Sequence, residues 1–293
     1  MYFNCAPDNT LILVFIALVF SVIMAYLPVS FESINRPGED GSIVELDGLE
    51  ALQFKKNYYR KTNGEVTPEK VAEALRIYQS YVREYGTLDE VPLDLYVENI
   101  LAVRPVLQGL SEAFADPKTG IGTDLMKINP DEVEESYYEK CRNHLNDIMN
   151  LEQKKYPAAR QYAADKYSKV EVPFQLYTGV SRDAFDYTEL YILVLMVLCT
   201  AIAAPIFANE YQTGSDNIFR CAKYGRMRFA VVRITASCCI FIAVFILGMA
   251  IHLTILNLAF GTECLKTSMQ MLFSIINLPN MNLGLWQFAE VFR

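Results

Sequence analysis

The 293-residue chain carries a net charge of −8, from 34 acids against 26 Lys and Arg, and 52% of it is hydrophobic. No basic patch points to nucleic acid as a partner. Two widely separated histidines and the lack of a C-x-x-C pair exclude a zinc-type cluster.

The near-zero mean hydropathy of +0.16 conceals a segregated composition. An α-helix rises 1.5 Å per residue, so about twenty apolar residues cross a ~30 Å hydrocarbon core. Residues 10–29 qualify as such a run. No Lys or Arg precedes them, the run exceeds the ~7–15 residues of a signal-peptide core, and no small-x-small site follows. They read as an uncleaved first span, with 1–29 as its segment.

Residues 30–187 follow as a separate domain of 28 acids and 19 bases, a balance of −9. Its stretch 35–41 (NRPGEDG) reads as a turn-rich linker. Thr67-Pro68-Glu69 offers a capping hydroxyl, a proline at the first helical position and an early acid. A stripe of Val71, Leu75, Tyr78, Val82 and Tyr85 follows, closed by Gly86. A further helix is expected from Asp94, kinked or interrupted at Pro105. The clearest helix opens at Asn129-Pro130-Asp131-Glu132 and repeats apolar groups at Val133, Tyr137, Cys141, Leu145 and Ile148, continuing to about Tyr156. Pro157 starts another, and 170–174 is the one convincing extended stretch. The domain is mostly α, and its many tyrosines read as aromatic packing rather than a ligand cluster.

A second apolar run covers 190–208, within a span of 188–208, and a third covers 234–260, within 229–261. Their connector, 209–233, holds five bases (Arg220, Lys223, Arg226, Arg228 and Arg233) against Glu210 and Asp216, a balance of +3. Short basic loops stay cytoplasmic while long domains translocate largely regardless of charge. The expected topology therefore puts the connector inside and the 30–187 domain outside the cell. Cys141 and Cys264 alone would face outward, too few for a disulfide-stapled domain, and the cysteines read as free, mostly buried thiols.

No nucleophile motif, phosphate loop or paired carboxylate site occurs, so catalysis is not expected. His144 lies on a helix of the domain and His252 in the third span. Ionisable groups in spans are often functional, but His252 falls toward the outer end of a long run and reads as an interfacial, hydrogen-bonded histidine. Ser21, Thr200, Thr235 and Ser237 are the other polar groups available in the spans.

The connector with its flanks, PIFANEYQTGSDNIFRCAKYGRMRFAVVRITA, resembles the link between the second and third spans of type 2 ABC-transporter permeases of Gram-positive bacteria. The matching positions are Glu210, Gly214, Ile218, Phe219 and Arg220, and then Gly225 and Arg226 after Tyr224. The layout of one span, a long helical external domain and further spans is also similar. The resemblance implies a coupling helix at 218–220, seated in a groove of a separate cytosolic ATPase, with Glu210 and Arg226 anchoring its ends. ATP would be bound by that partner, so no cofactor is expected here. The structural alternative is a solvated loop held by its bases at an anionic leaflet.

Two departures stand out. The family has about six spans, so 262–293 reads as the external segment before missing ones and the chain as a fragment. The family's basic amphipathic helix before the first span is also lacking. The resemblance implies a bacterial cell-membrane permease subunit, not an enzyme, that works with an ATPase and a second permease half to export an amphipathic peptide, antibiotic or lipid. A competing reading is an ATPase-driven mechanical relay or sensor whose external domain binds a peptide or envelope partner without transport.

Overall fold

The computed structural model describes residues 7–179, 182–204, 225–273, 276 and 281–292. The chain is a multi-pass membrane protein with three helices long and apolar enough to span a bilayer, and a large helical region lies between the first and second.

The three long helices form one compact unit. Helix α1 runs Pro7–Ser30, α8 runs Arg182–Ala203 and α9 runs Gly225–Phe260. Their span-like parts are Leu11–Ser30, Asp183–Ala203 and Ala230–Phe260. Helix α8 thus starts ahead of the apolar run at 190, because its first two turns place Asp183, Asp186 and Glu189 on an exposed side while Ala184, Phe185 and Thr188 turn inward. Ala17 and Met24 of α1, Leu195, Cys199 and Ile202 of α8, and Val244, Met249 and Leu253 of α9 make the shared core. Phe15, Val197 and Leu258 stay more than 60% exposed on the outer faces. Such broad apolar surface is costly in water and natural in lipid.

The second unit comprises the described residues of 30–181 and 260–290. It opens with an antiparallel hairpin, β1 (Ser33–Pro37) against β2 (Ile43–Asp47), in register from Ser33↔Asp47 to Pro37↔Ile43. The residues expected to form a linker are its second half-strand and its turn. Gly38 N–H donates to Ser42 O at 2.7 Å, and Gly41 takes φ +79°. Helix α2 (Gly48–Tyr59) follows, then the short strand β3 (Gly64–Val66).

Helix α3 (Pro68–Tyr85) has the expected ends. Thr67 Oγ1 accepts from Lys70 N–H at 3.3 Å, and Gly86, at φ +91°, closes it in a region that side chains with a β-carbon avoid. The next stretch is irregular. One α-turn, α4 (Leu93–Leu95), passes into a π-turn (Tyr96–Ile100) and a 3₁₀ turn (Leu101–Val103) before α5 (Arg104–Ala113) begins. The interruption thus lies upstream of Pro105, which sits in the first turn of α5, where its missing N–H has no partner to lose.

Helix α6 (Pro130–Glu152) is capped by Asn129, whose Oδ1 accepts from Asp131 N–H at 3.1 Å. Its stripe of Val133, Tyr137, Cys141 and Leu145 is buried, joined by His144. Helix α7 (Pro157–Tyr167) begins at Pro157, and β4 (Phe174–Leu176) pairs antiparallel with β3. The extended stretch thus falls slightly later than 170–174. Val71, Leu75, Val106, Leu110, Val133 and Phe174 are at most 2% exposed in one core, each worth about 1.5–3 kcal/mol of burial.

Polar groups tie this core together. Gln79, 2% exposed, donates its Nε2 to the Leu125 and Ile128 carbonyls at 2.7 Å each. The Tyr138 hydroxyl donates to Val66 O and accepts from Phe174 N–H, so one side chain of α6 bridges both strands of the small sheet. Tyr137, Tyr138 and Phe174 meet edge to face, and Tyr167 is buried nearby, whereas Tyr156 and Tyr162 are more than 60% exposed. Burial pushes the Cys141 thiol up to about 12, which makes it an inert core group.

The segment after α9 returns to this unit. Ser268 exchanges hydrogen bonds with Gln175 (N–H to O and Oγ from N–H, both 2.9 Å), and Thr267 Oγ1 accepts from Tyr177 N–H and donates to Tyr177 O. Met271 enters the core, its methyl close against Gly109. A terminal helix, Leu283–Phe292, follows.

Candidate functional site in the three-helix unit

Of the polar residues in the spans, two expected ones meet two unexpected ones. Ser21 of α1, Thr188 and Tyr191 of α8, and His252 of α9 are all at most 1% exposed. Ser21 lies nine residues before the end of α1, Tyr191 eight after Asp183, and His252 eight before Phe260. At 1.5 Å per residue these are roughly 12–14 Å from the corresponding helix ends. The three groups therefore sit at one depth, inside the apolar part of the helices.

Each hydroxyl is accounted for. Ser21 Oγ donates back to Ala17 O and Thr188 Oγ1 to Ala184 O, both at 2.8 Å and one turn away, the usual way Ser and Thr satisfy themselves in an apolar helix. Tyr191 Oη stands too far from its own backbone for that and donates across to Ser21 Oγ at 2.7 Å. Interhelical hydrogen bonds of this kind contribute about 0.6–1.7 kcal/mol in membranes.

The His252 ring stacks on Tyr191 with centroids 4.3 Å apart and planes 15° from parallel. Its Nε2 lies 3.2 Å from Thr188 Oγ1. Thr188 Oγ1 thus lies between Ala184 O and the imidazole and joins α8 to α9. Nδ1 is buried and has no hydrogen-bond partner. The Ser21 carbonyl, an acceptor, also neighbours the ring. An orphaned buried polar atom costs about 1–3 kcal/mol.

Close approach of α8 and α9 depends on Gly248, one turn before His252. A β-carbon there would stand 2.8 Å from Tyr191 Oη and 3.1 Å from Leu195 Cδ2. His252 is thus enclosed among the three helices. Tyr191 and Thr188 went unrecognised because the second span was drawn from an apolar run in which Tyr counts as hydrophobic. Their spacing of three residues, one helical face, was the available signal.

The remaining candidates scatter. Thr200 donates to its own Met196 O and Thr235 is exposed, while Ser237 is buried with its Oγ 3.5 Å from Ala203 O. Glu210, Gly214, Ile218, Phe219 and Arg220 lie outside the described residues. Gly225 and Arg226 form the first turn of α9, ahead of its apolar part, with Met227 and Arg228 exposed. His144 is buried on α6, far along the chain from the cluster, and burial lowers its affinity for a proton. Among the described residues no group of His, Cys, Asp and Glu could hold a metal. Compared with family models, curated proteins and solved structures, the chain matches none.

Proposed function

We propose that this protein is the membrane-spanning permease subunit of an ABC-type transporter, in which a separate cytosolic ATPase drives α8 and α9 to export an amphipathic substrate. The observation that carries this reading is the start of α9. Gly225-Arg226 opens the helix five residues ahead of the apolar part that begins at Ala230. Bases in a first turn oppose the helix dipole. Arg226 and Arg228 therefore call for a compensating negative partner, which Glu210 or anionic lipid phosphate would supply. The +3 charge of 209–233 favours placement of this connector in the cytosol with the large unit outside.

The enclosed cluster of Ser21, Tyr191 and His252 favours a second reading. Three helices joined through a closed polar contact suit a mechanical relay, in which ATPase closure moves the large unit against a peptide or envelope partner without transport.

Replacing Ile218 and Phe219 together with Asp tests the shared premise. Loss of co-purification with the ATPase, with the protein still folded, is expected; retained co-purification with retained ATPase stimulation would remove the coupling role. Protease added to intact cells should cut within 30–179, and protection there with cleavage inside 209–224 would reverse the topology. Export of a labelled amphipathic peptide from loaded vesicles then separates transport from relay.

A further inference from the structure

We propose that the terminal helix, Leu283–Phe292, is a membrane-surface element that lies along the boundary between lipid headgroups and acyl chains, with Leu285 and Phe288 turned into the lipid. A helix bathed in water buries its apolar side and shows its polar one. This helix does the reverse. Gln287 and Glu290 are each 5% exposed and share the buried face with Leu283, whereas Leu285 is 51% and Phe288 65% exposed, beside an exposed Ala289. At 3.6 residues per turn the two sets fall on opposite sides. Glu290 is the only charged residue from Met281 to Phe292, so the outward face carries no charge among the described residues.

The first turn is held in place, which sets the direction of the rest. Asn282 Oδ1 caps the helix by accepting from Leu285 N–H at 2.8 Å, and Leu283 N–H donates to Thr267 O at 2.9 Å. Gly284 lets this turn approach Leu265 closely, since a β-carbon there would stand 3.2 Å from the Leu265 carbonyl oxygen.

The last turn identifies what covers the outward face. Val291 belongs to the three-helix unit and packs against its core. The outer faces of that unit are the apolar surface assigned to lipid, so the terminal helix ends in the same medium. Ten residues rise about 15 Å, half of a ~30 Å hydrocarbon core, which suits a helix in the boundary and not one that crosses. Such helices sink their apolar side about 5–10 Å into that layer. Trp286 fits the level, because its large apolar ring carries one polar N–H and tryptophan is enriched where membrane meets water.

Trp286 is also the only tryptophan of the chain, so its emission reports on this helix without any substitution. The test places the full chain in phosphatidylcholine vesicles whose acyl chains carry bromine at shallow, middle or deep positions. Quenching of Trp286 should be strongest with shallow bromine and weaken with depth. A second measurement replaces Leu285→Gln and Phe288→Gln together, which keeps good helix formers. Lipid covers roughly half of each side chain, together about one fully buried Leu or Phe, or about tenfold to hundredfold in an equilibrium. Amide protection of residues 287–291 in nanodiscs should fall by about that factor. Three results would overturn the proposal. The first is emission indifferent to bromine at every depth, as when water or a second copy of the chain covers the face. The second is quenching strongest with deep bromine, as for a helix that crosses the bilayer. The third is unchanged protection in the double variant. None involves the ATPase, so failure here leaves the transporter reading untouched.

Discussion

Gly248→Ala tests the closeness of α8 and α9 directly. In an open helix position alanine would stabilise by up to about 1 kcal/mol over glycine. Here the added methyl would lie 2.8 Å from Tyr191 Oη and 3.1 and 3.2 Å from the two Leu195 methyls. Overpacking of this order costs about 1–3 kcal/mol, and displacing Tyr191 also forfeits its bond to Ser21, about 0.6–1.7 kcal/mol. The net expectation is a destabilisation of about 1–3 kcal/mol. Tyr191→Phe removes the most crowded atom and the bond but leaves the Leu195 contacts. In that background Gly248→Ala should cost about 1 kcal/mol less, a coupling that a double-mutant cycle isolates. The assay is denaturant unfolding of the purified protein in mixed micelles, followed by circular dichroism. A stabilising Gly248→Ala, or an equal cost in both backgrounds, would refute the packing described here.

Two further predictions concern the other unit. Gln79→Leu leaves the half-buried Leu125 and the buried Ile128 carbonyls without their donor, so near-ultraviolet circular dichroism should report a loss of about 1–3 kcal/mol; an unchanged melting profile would contradict those bonds. Burial holds His144 below its ordinary 6.5, against an opposing pull from Asp147. The unfolded chain therefore binds more protons as pH falls below 6.5, so stability is complete above that value and declines beneath it. In a His252→Gln background, His144→Gln should flatten that decline, and an equally steep loss would exclude His144 as its source.

Much of this architecture was legible because local chemistry dictated it. Thr67, Pro68 and Gly86 mark both ends of α3, and the spacing of Val133, Tyr137, Cys141 and Leu145 marks the buried face of α6. The hairpin at Ser33–Asp47 was not, since Gly38 and Gly41 signal a turn equally well in a linker, and β2 alternates only between exposed and half-buried groups. The π-turn at Tyr96–Ile100 leaves no period of its own. In the three-helix unit, composition singled out Ser21 and His252, but their partners stand 170 and 64 residues away. Only folding brings Tyr191 and Thr188 to them, and no local pattern encodes so distant a pairing. The return of 267–271 to β4 and to the core was hidden for the same reason.

That return has a consequence for how the molecule is made. Thr267 and Ser268 edge the β4 strand and Met271 fills space beside Gly109, yet all three leave the ribosome only after α8 and α9. The nascent 30–179 region therefore lacks these partners until both later helices have been made.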